Sequence, residues 1–349
     1  MRNSLFLGAC ALAITIFGTA AIGQPASGPY KVVKIAKVGG DGGFDYVYAD
    51  AAGRRLYVPR SGQTGARISV FNLDTLEPVG EIAGFNGHGA VVDPKSGMGF
   101  ATSKPVAMWN AKTLAPMAPI TVQGNPDGIL FDAFNQRVYI LSHIAPNMTV
   151  LDSTSGAIVG TIDLGGAPEQ AATDGKGHIY VDIEDKGQVA VIDAKTMTVT
   201  AKYDLGAATL TPAGLALDAK NHILFAACRN PAQMVILNAD NGKILATLPL
   251  GTGTDGATFN PDTMEAFSSQ GDGTLTVIKE NSPTSFAVEQ TVQTPPAAKT
   301  LTLDSKTGRI ILITAEYEPA PPSDAPPVPG RVRRGPMIAG SFQLVAVGK

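Results

Sequence analysis

Cysteine, tryptophan and charge are all scarce in this chain, and each scarcity excludes something. Only Cys10 and Cys228 occur, far apart in the sequence, so no disulfide framework holds the fold. Charged residues make up 16% and hydrophobic ones 44%, which excludes both a coiled coil and a charge-swollen disordered chain. Lysine and arginine number 27 against 30 aspartates and glutamates, so no positive excess draws the chain to nucleic acid or an anionic membrane. An aromatic content of 6% leaves little for stacking bases. Turn chemistry is what abounds: 39 glycines and 25 prolines suit a turn-dense, all-β protein.

Long apolar runs are also lacking, with one exception. Arg2 precedes an uncharged stretch from Leu5 to Ile22, and small residues lead into Gln24-Pro25. This is the pattern of a secretory signal peptide over residues 1–23, leaving 24–349 as one domain. The rival is an uncleaved anchor, since about 18 apolar residues can span a bilayer; the alanines, glycines and threonines that dilute the run favour cleavage. Removal takes away one basic residue and no acidic one, leaving 26 basic, 30 acidic and the single thiol of Cys228. No later stretch is long enough to cross a membrane, so a periplasmic or secreted protein is expected.

The rest of the chain repeats itself. Residues 125–166 hold four short apolar runs, ILF, VYIL, MTVLD and AIVGTIDL, separated by DAFNQ, SHIAPN and STSG, and read as four antiparallel strands. An aspartate or asparagine closes the first strand of each unit: Asp50, Asp93, Asp132, Asp174, Asp218, Asn260 and Asp304. These seven positions stand 39 to 44 residues apart, the span of a four-stranded propeller blade. The last unit is one strand short, whereas Tyr30–Val38 has no blade before it. A seven-bladed β-propeller, its seventh blade closed by the N-terminal strand, is therefore expected. The lone Trp109 falls in a third-strand pattern and reads as core.

The strands RLYV, RVYIL and HIYV, the TVLD and AVID third strands and the GTIDLGGAP linker resemble the YVTN-type repeats of YncE-like exported bacterial propellers over about residues 30–349. The resemblance implies the fold and export. It does not imply an activity, because such propellers serve as enzymes, binding platforms and interaction domains.

In a propeller, the linkers before first strands and the loops after second strands share one rim. The residue five before each aligned Asp or Asn gives the channel mouth: Asp45, His88, Asp127, Glu169, Ala213, Asp255 and Lys299. The following column contains Gly89, Gly128, Gly214 and Gly256, where a missing side chain is expected to leave room beside the axis. Second-strand ends add Arg60, Lys104, His143, Glu184, Arg229 and Glu316. Converging carboxylates need a cation, a proton or nearby Lys and Arg. One outcome is a divalent metal held by Asp45, His88, Asp127, Glu169 and Asp255. Another is a polar small-molecule pocket in which Arg60, Glu184, Arg229 and Lys299 join these carboxylates. A third is solvated polarity and nothing more. For a metal-assisted hydrolase or lyase, His88 and His143 are the candidate bases; His178 and His222 fall in hairpin turns on the opposite face.

The proline-rich insertion at 316–338 joins the second and third strands of the last blade, over the same rim, and could be a lid, a protein-docking arm or a solvated loop. Gly251-Thr-Gly-Thr-Asp-Gly256 matches G-x-G-x-x-G without a helix to follow, and no NAD, haem or PQQ signal is present. The sequence thus points to a binding scaffold for a small molecule, metal ion or protein at the rim, with nucleic acid disfavoured by charge.

Overall fold

A computed structural model describes residues 28–62, 65–207, 210–322, 326 and 328–349. The leader-like residues 1–23 lie outside the described residues. The fold starts from its hairpins. Asp93, Asp132, Asp174, Asp218, Asn260 and Asp304 each accept the backbone N–H two residues on, at 2.7–3.3 Å, and Asp50 accepts that of Gly53 at 2.8 Å. Four residues after the aspartate or asparagine the backbone is left-handed in six of the seven hairpins, at Arg54, Gly97, Gln136, His222, Met264 and Gly308. The side-chain bond offsets the roughly 1 kcal/mol or more that a non-glycine residue pays for that conformation.

Each hairpin opens an antiparallel sheet, and there are seven. The first blade runs Tyr48–Asp50, Arg55–Ser61, Arg67–Asn72 and Pro78–Ala83, with a short extra strand, Gly43–Phe44, paired to the end of its second strand. The third, Pro126–Asp132, Arg137–Ser142, Met148–Asp152 and Ile158–Ile162, is the 125–166 repeat as read from sequence. Second and third strands are covered on both faces by neighbouring blades and are almost wholly buried, whereas outer strands such as Thr198–Asp204 alternate with solvent. The second blade departs from the pattern. Its fourth strand is reduced to bridges at Val106–Ile120 and Trp109–Pro116, because Pro116 and Pro119 lack the N–H groups a ladder needs.

Seven apolar clusters fill the blade–blade interfaces, one for each. Trp109, fully buried against Tyr57, belongs to the interface of the first two blades, as core. The interface that completes the ring joins Leu56 and Val58 of the first blade to Ile311, Ile313 and Leu344 of the seventh. The seventh blade consists of Thr300–Asp304, Arg309–Thr314 and Gln343–Gly348, and its outer strand is the N-terminal Lys31–Lys37. On the face opposite the mouth, Arg54 of the first blade grips Asp304 of the seventh through two 2.7 Å bonds. Among the described residues no helix is long and apolar enough to cross a membrane.

Candidate functional site

The rim column stands at the entry to each inner strand, and its backbone is held by neighbouring hydroxyls. Thr300 Oγ1 donates to the Asp45 carbonyl at 2.6 Å, Thr102 Oγ1 to that of Asp127, and Ser269 Oγ to that of Lys299 at 2.7 Å. The glycines of the next column do not leave the expected room. A Cβ on Gly128 would stand 2.4 Å from the Glu169 carbonyl oxygen, and one on Gly214 would stand 2.6 Å from the Gly256 backbone. They are glycines because adjacent inner strands press against them.

The rim charges form a closed circuit of alternating sign. His88 Nδ1 lies 3.2 Å from Asp45; Asp45 meets Lys299 at 3.4 Å; Lys299 bonds Asp255, and Asp255 bonds Arg229. Arg229 meets Glu169 at 2.7 Å, Glu169 meets His143 Nε2 at 3.4 Å, His143 meets Asp127 at 3.4 Å, and Asp127 returns to His88 at 3.4 Å. All seven blades contribute, and Glu184 hangs from Arg229 as a fifth carboxylate. The circuit has two halves. Arg229 and Lys299 lie deep and hold their carboxylates tightly, whereas His88 and His143 are 40% and 38% exposed and hold theirs at longer range.

Proton affinities follow this division. Burial, then the charges of Glu169 and Asp45, pushes Asp127 up to about 6. The Glu169 hydrogen bond raises His143 to about 9 against its own burial, and the Asp45 hydrogen bond raises His88. Burial alone would raise Asp45 and Glu169, but His88 with Lys299, and His143 with Arg229, outweigh it and hold both carboxylates low. A value of about 9 favours the protonated form of His143 at neutral pH, in which it faces Glu169 and Asp127 as a donor.

Two groups have the spacing of metal ligands: Asp45, His88 and Asp127, and Asp127, His143 and Glu169, with every ligand atom within 4.8 Å of the others in its group. Asp127 belongs to both. Its Oδ1 is buried and makes no hydrogen bond, with only the His88 Nδ1 contact at 3.4 Å, which leaves it poorly satisfied and suited to a cation. Asp255, grouped with the ligands from sequence, stands apart, since Arg229 and Lys299 both occupy it; His143 takes its place. Arg60 is not at the mouth either. It is fully buried, 3.7 Å over the Phe342 ring, and donates to the carbonyls of Asp41 and Gly42, because the Gly43–Phe44 strand covers its end of the sheet. Lys104 and Glu316 are used locally, on the Gly124 carbonyl and on Lys37. His178 and His222 pair with Asp174 and Asp240 in hairpin turns.

A cavity of about 470 Å³ lies over the circuit, lined from below by Asp45, Tyr46, Asp127, His143, Glu169 and Lys299. Sequence reasoning missed Tyr46. Its hydroxyl crosses the channel from the first blade to the fourth and donates to Glu169, 3.0 Å from the carbonyl oxygen and 3.1 Å from Oε2. Gln170 ties three blades together below it, accepting from Leu215 and Ala257 at 3.0 and 3.2 Å. The signal was present: in the column after the rim the glycines are interrupted by Tyr46, Gln170 and Thr300, and all three make these cross-blade bonds.

No family model matches the chain, and a search of curated proteins finds no match. The propeller assignment therefore stands on the seven sheets and their closure.

Proposed function

We propose that this chain is a binding propeller whose mouth takes one divalent cation at the histidines and carboxylates around Asp127. The observation that carries the reading is Asp127, shared by two His–carboxylate groups, with a buried oxygen that makes no hydrogen bond. A dication there would compensate Asp45, Asp127 and Glu169 while Lys299 and Arg229 keep their partners. Mixed imidazole and carboxylate donors suit zinc or manganese better than calcium or magnesium, which favour all-oxygen sites. Glu169 raises His143 to about 9, which favours its protonated form over the base that a hydrolase or lyase would need there. The leader-like 1–23 and the YncE-like repeats support export as part of the same proposal.

Metal content settles it. Mature protein desalted after purification should keep close to one zinc or manganese per chain, and Asp127→Asn or His143→Ala should lower that at least tenfold. A content near zero in the unaltered protein, with no binding when either ion is added back, overturns the reading.

A further inference from the structure

The roof of the mouth cavity comes from the proline-rich insertion. Its base is a small ladder: Glu318 N–H donates to the Pro336 carbonyl at 2.9 Å, Gly335 N–H to that of Glu318 at 3.1 Å, and Ile338 N–H to that of Glu316 at 2.9 Å. From there the chain reaches across to the fifth and sixth blades and is seated on both. Gly330, at φ +72°, lies so close to Arg229 that a Cβ would stand 2.6 Å from its carbonyl oxygen. Val332 fills the space above Gly253 and Gly271, 3.2 and 3.5 Å from where their side chains would begin. This seat brings Arg331 and Arg334 into the cavity wall, with the Arg334 guanidinium also 4.7 Å over the Tyr317 ring.

Which charges are already paired decides what fits. Below, Arg229 and Lys299 hold Glu169, Glu184, Asp255 and Asp45, and Asp127 faces the two histidines. The roof adds two further cations, Arg331 and Arg334. Among the described residues neither forms an ion pair, so the roof offers two uncommitted planar guanidiniums that match the two oxygens of a carboxylate or phosphate. We infer that the roofed cavity is a binding site for a small oxyanion-bearing molecule, held between Arg331 and Arg334 above and the Tyr46 side of the mouth below. The inference goes beyond the cation reading and does not depend on it.

The test is calorimetric titration of the metal-free mature chain, in low-salt Tris chloride, with succinate, inorganic phosphate and uncharged glycerol. Binding of at least one anion and not of glycerol is expected, and the preferred anion separates carboxylate from phosphate. Arg331→Gln with Arg334→Gln should weaken that binding at least tenfold without changing the melting temperature. Arg333→Gln, which changes an arginine outside the cavity lining, should leave it within twofold. Gly330→Ala keeps both arginines but unseats the roof, and should also weaken binding at least tenfold. No binding of either anion, equal loss in the Arg333 variant, or full affinity in the double or the Gly330 variant would each overturn the inference. Because no metal is present, failure here leaves the cation reading standing, and failure of metal retention leaves this one standing.

Discussion

Glu280 shows what one buried carboxylate does when its neighbours do not compensate it. It is 3% exposed and accepts from Asn221 Nδ2 at 2.8 Å through Oε1, while its Oε2 and Asp218 Oδ2 are both buried without a partner. Burial, and then the Asp218 charge, raises Glu280 to about 7 despite the Asn221 bond. A carboxyl whose folded value lies above its unfolded one binds more protons when folded, so stability falls as pH rises from about 4.5 to 7 and stays reduced above. Glu280→Gln keeps the Asn221 bond and turns a donor toward Asp218. Denaturant melts should show it more stable than the parent by about 2 kcal/mol at pH 8 and indistinguishable below pH 4.5; an equal difference at both pH values would refute the assignment. At this scale sequence was a partial guide. The rim aspartates and His88 are legible from their fixed distance to the hairpin Asp or Asn, and His143 from its place at the end of a second strand. That Asp255 belongs to two cations and Arg60 to Phe342 is not, because both depend on side-chain reach between distant blades.

Among the elements, the strand Lys31–Lys37 has the most leverage for its size. It covers the edge of Gln343–Gly348, a strand buried along its whole length, with one bulge between Val32 and Lys34. Just before it, Tyr30 is held to the sixth blade by Gln290, which accepts its N–H at 3.0 Å and donates to its carbonyl at 2.7 Å, and its hydroxyl bonds Glu265. Removing residues 24–37 would bare both a ladder edge and the apolar cluster around Val345 and Val347. Such a truncation should melt at least 10 °C lower and associate in a concentration-dependent manner by light scattering; a monomer with unchanged melting would show that the closing strand is dispensable. Elements were the most legible level in sequence, since blade boundaries follow from turn residues with a local mechanism. The second blade's missing fourth strand was written in Pro116 and Pro119, whose lost donors matter only once a ladder is required of them.

For the whole molecule, closure of the ring is what makes the mouth a site at all. Asp45, His88, Asp127 with His143, and Glu169 come from four successive blades, and the unfolded chain keeps them tens of residues apart. A cation held by either three-residue group draws on two or three of these blades, so it binds the closed ring and not the open chain, and its free energy adds directly to folding. At a hundredfold excess over its dissociation constant this is worth about 2.7 kcal/mol, or roughly 5 °C in melting temperature for a domain of this size. Zinc or manganese should produce that shift in the parent protein. Asp127→Asn should abolish it while leaving the metal-free protein as stable as before or more so, because the repulsion that raises Asp127 to about 6 is relieved. A variant that loses stability without the metal would instead make Asp127 a structural member of the charge circuit. A parent that shows no shift with either ion would mean that the alternating charges of the rim already satisfy one another.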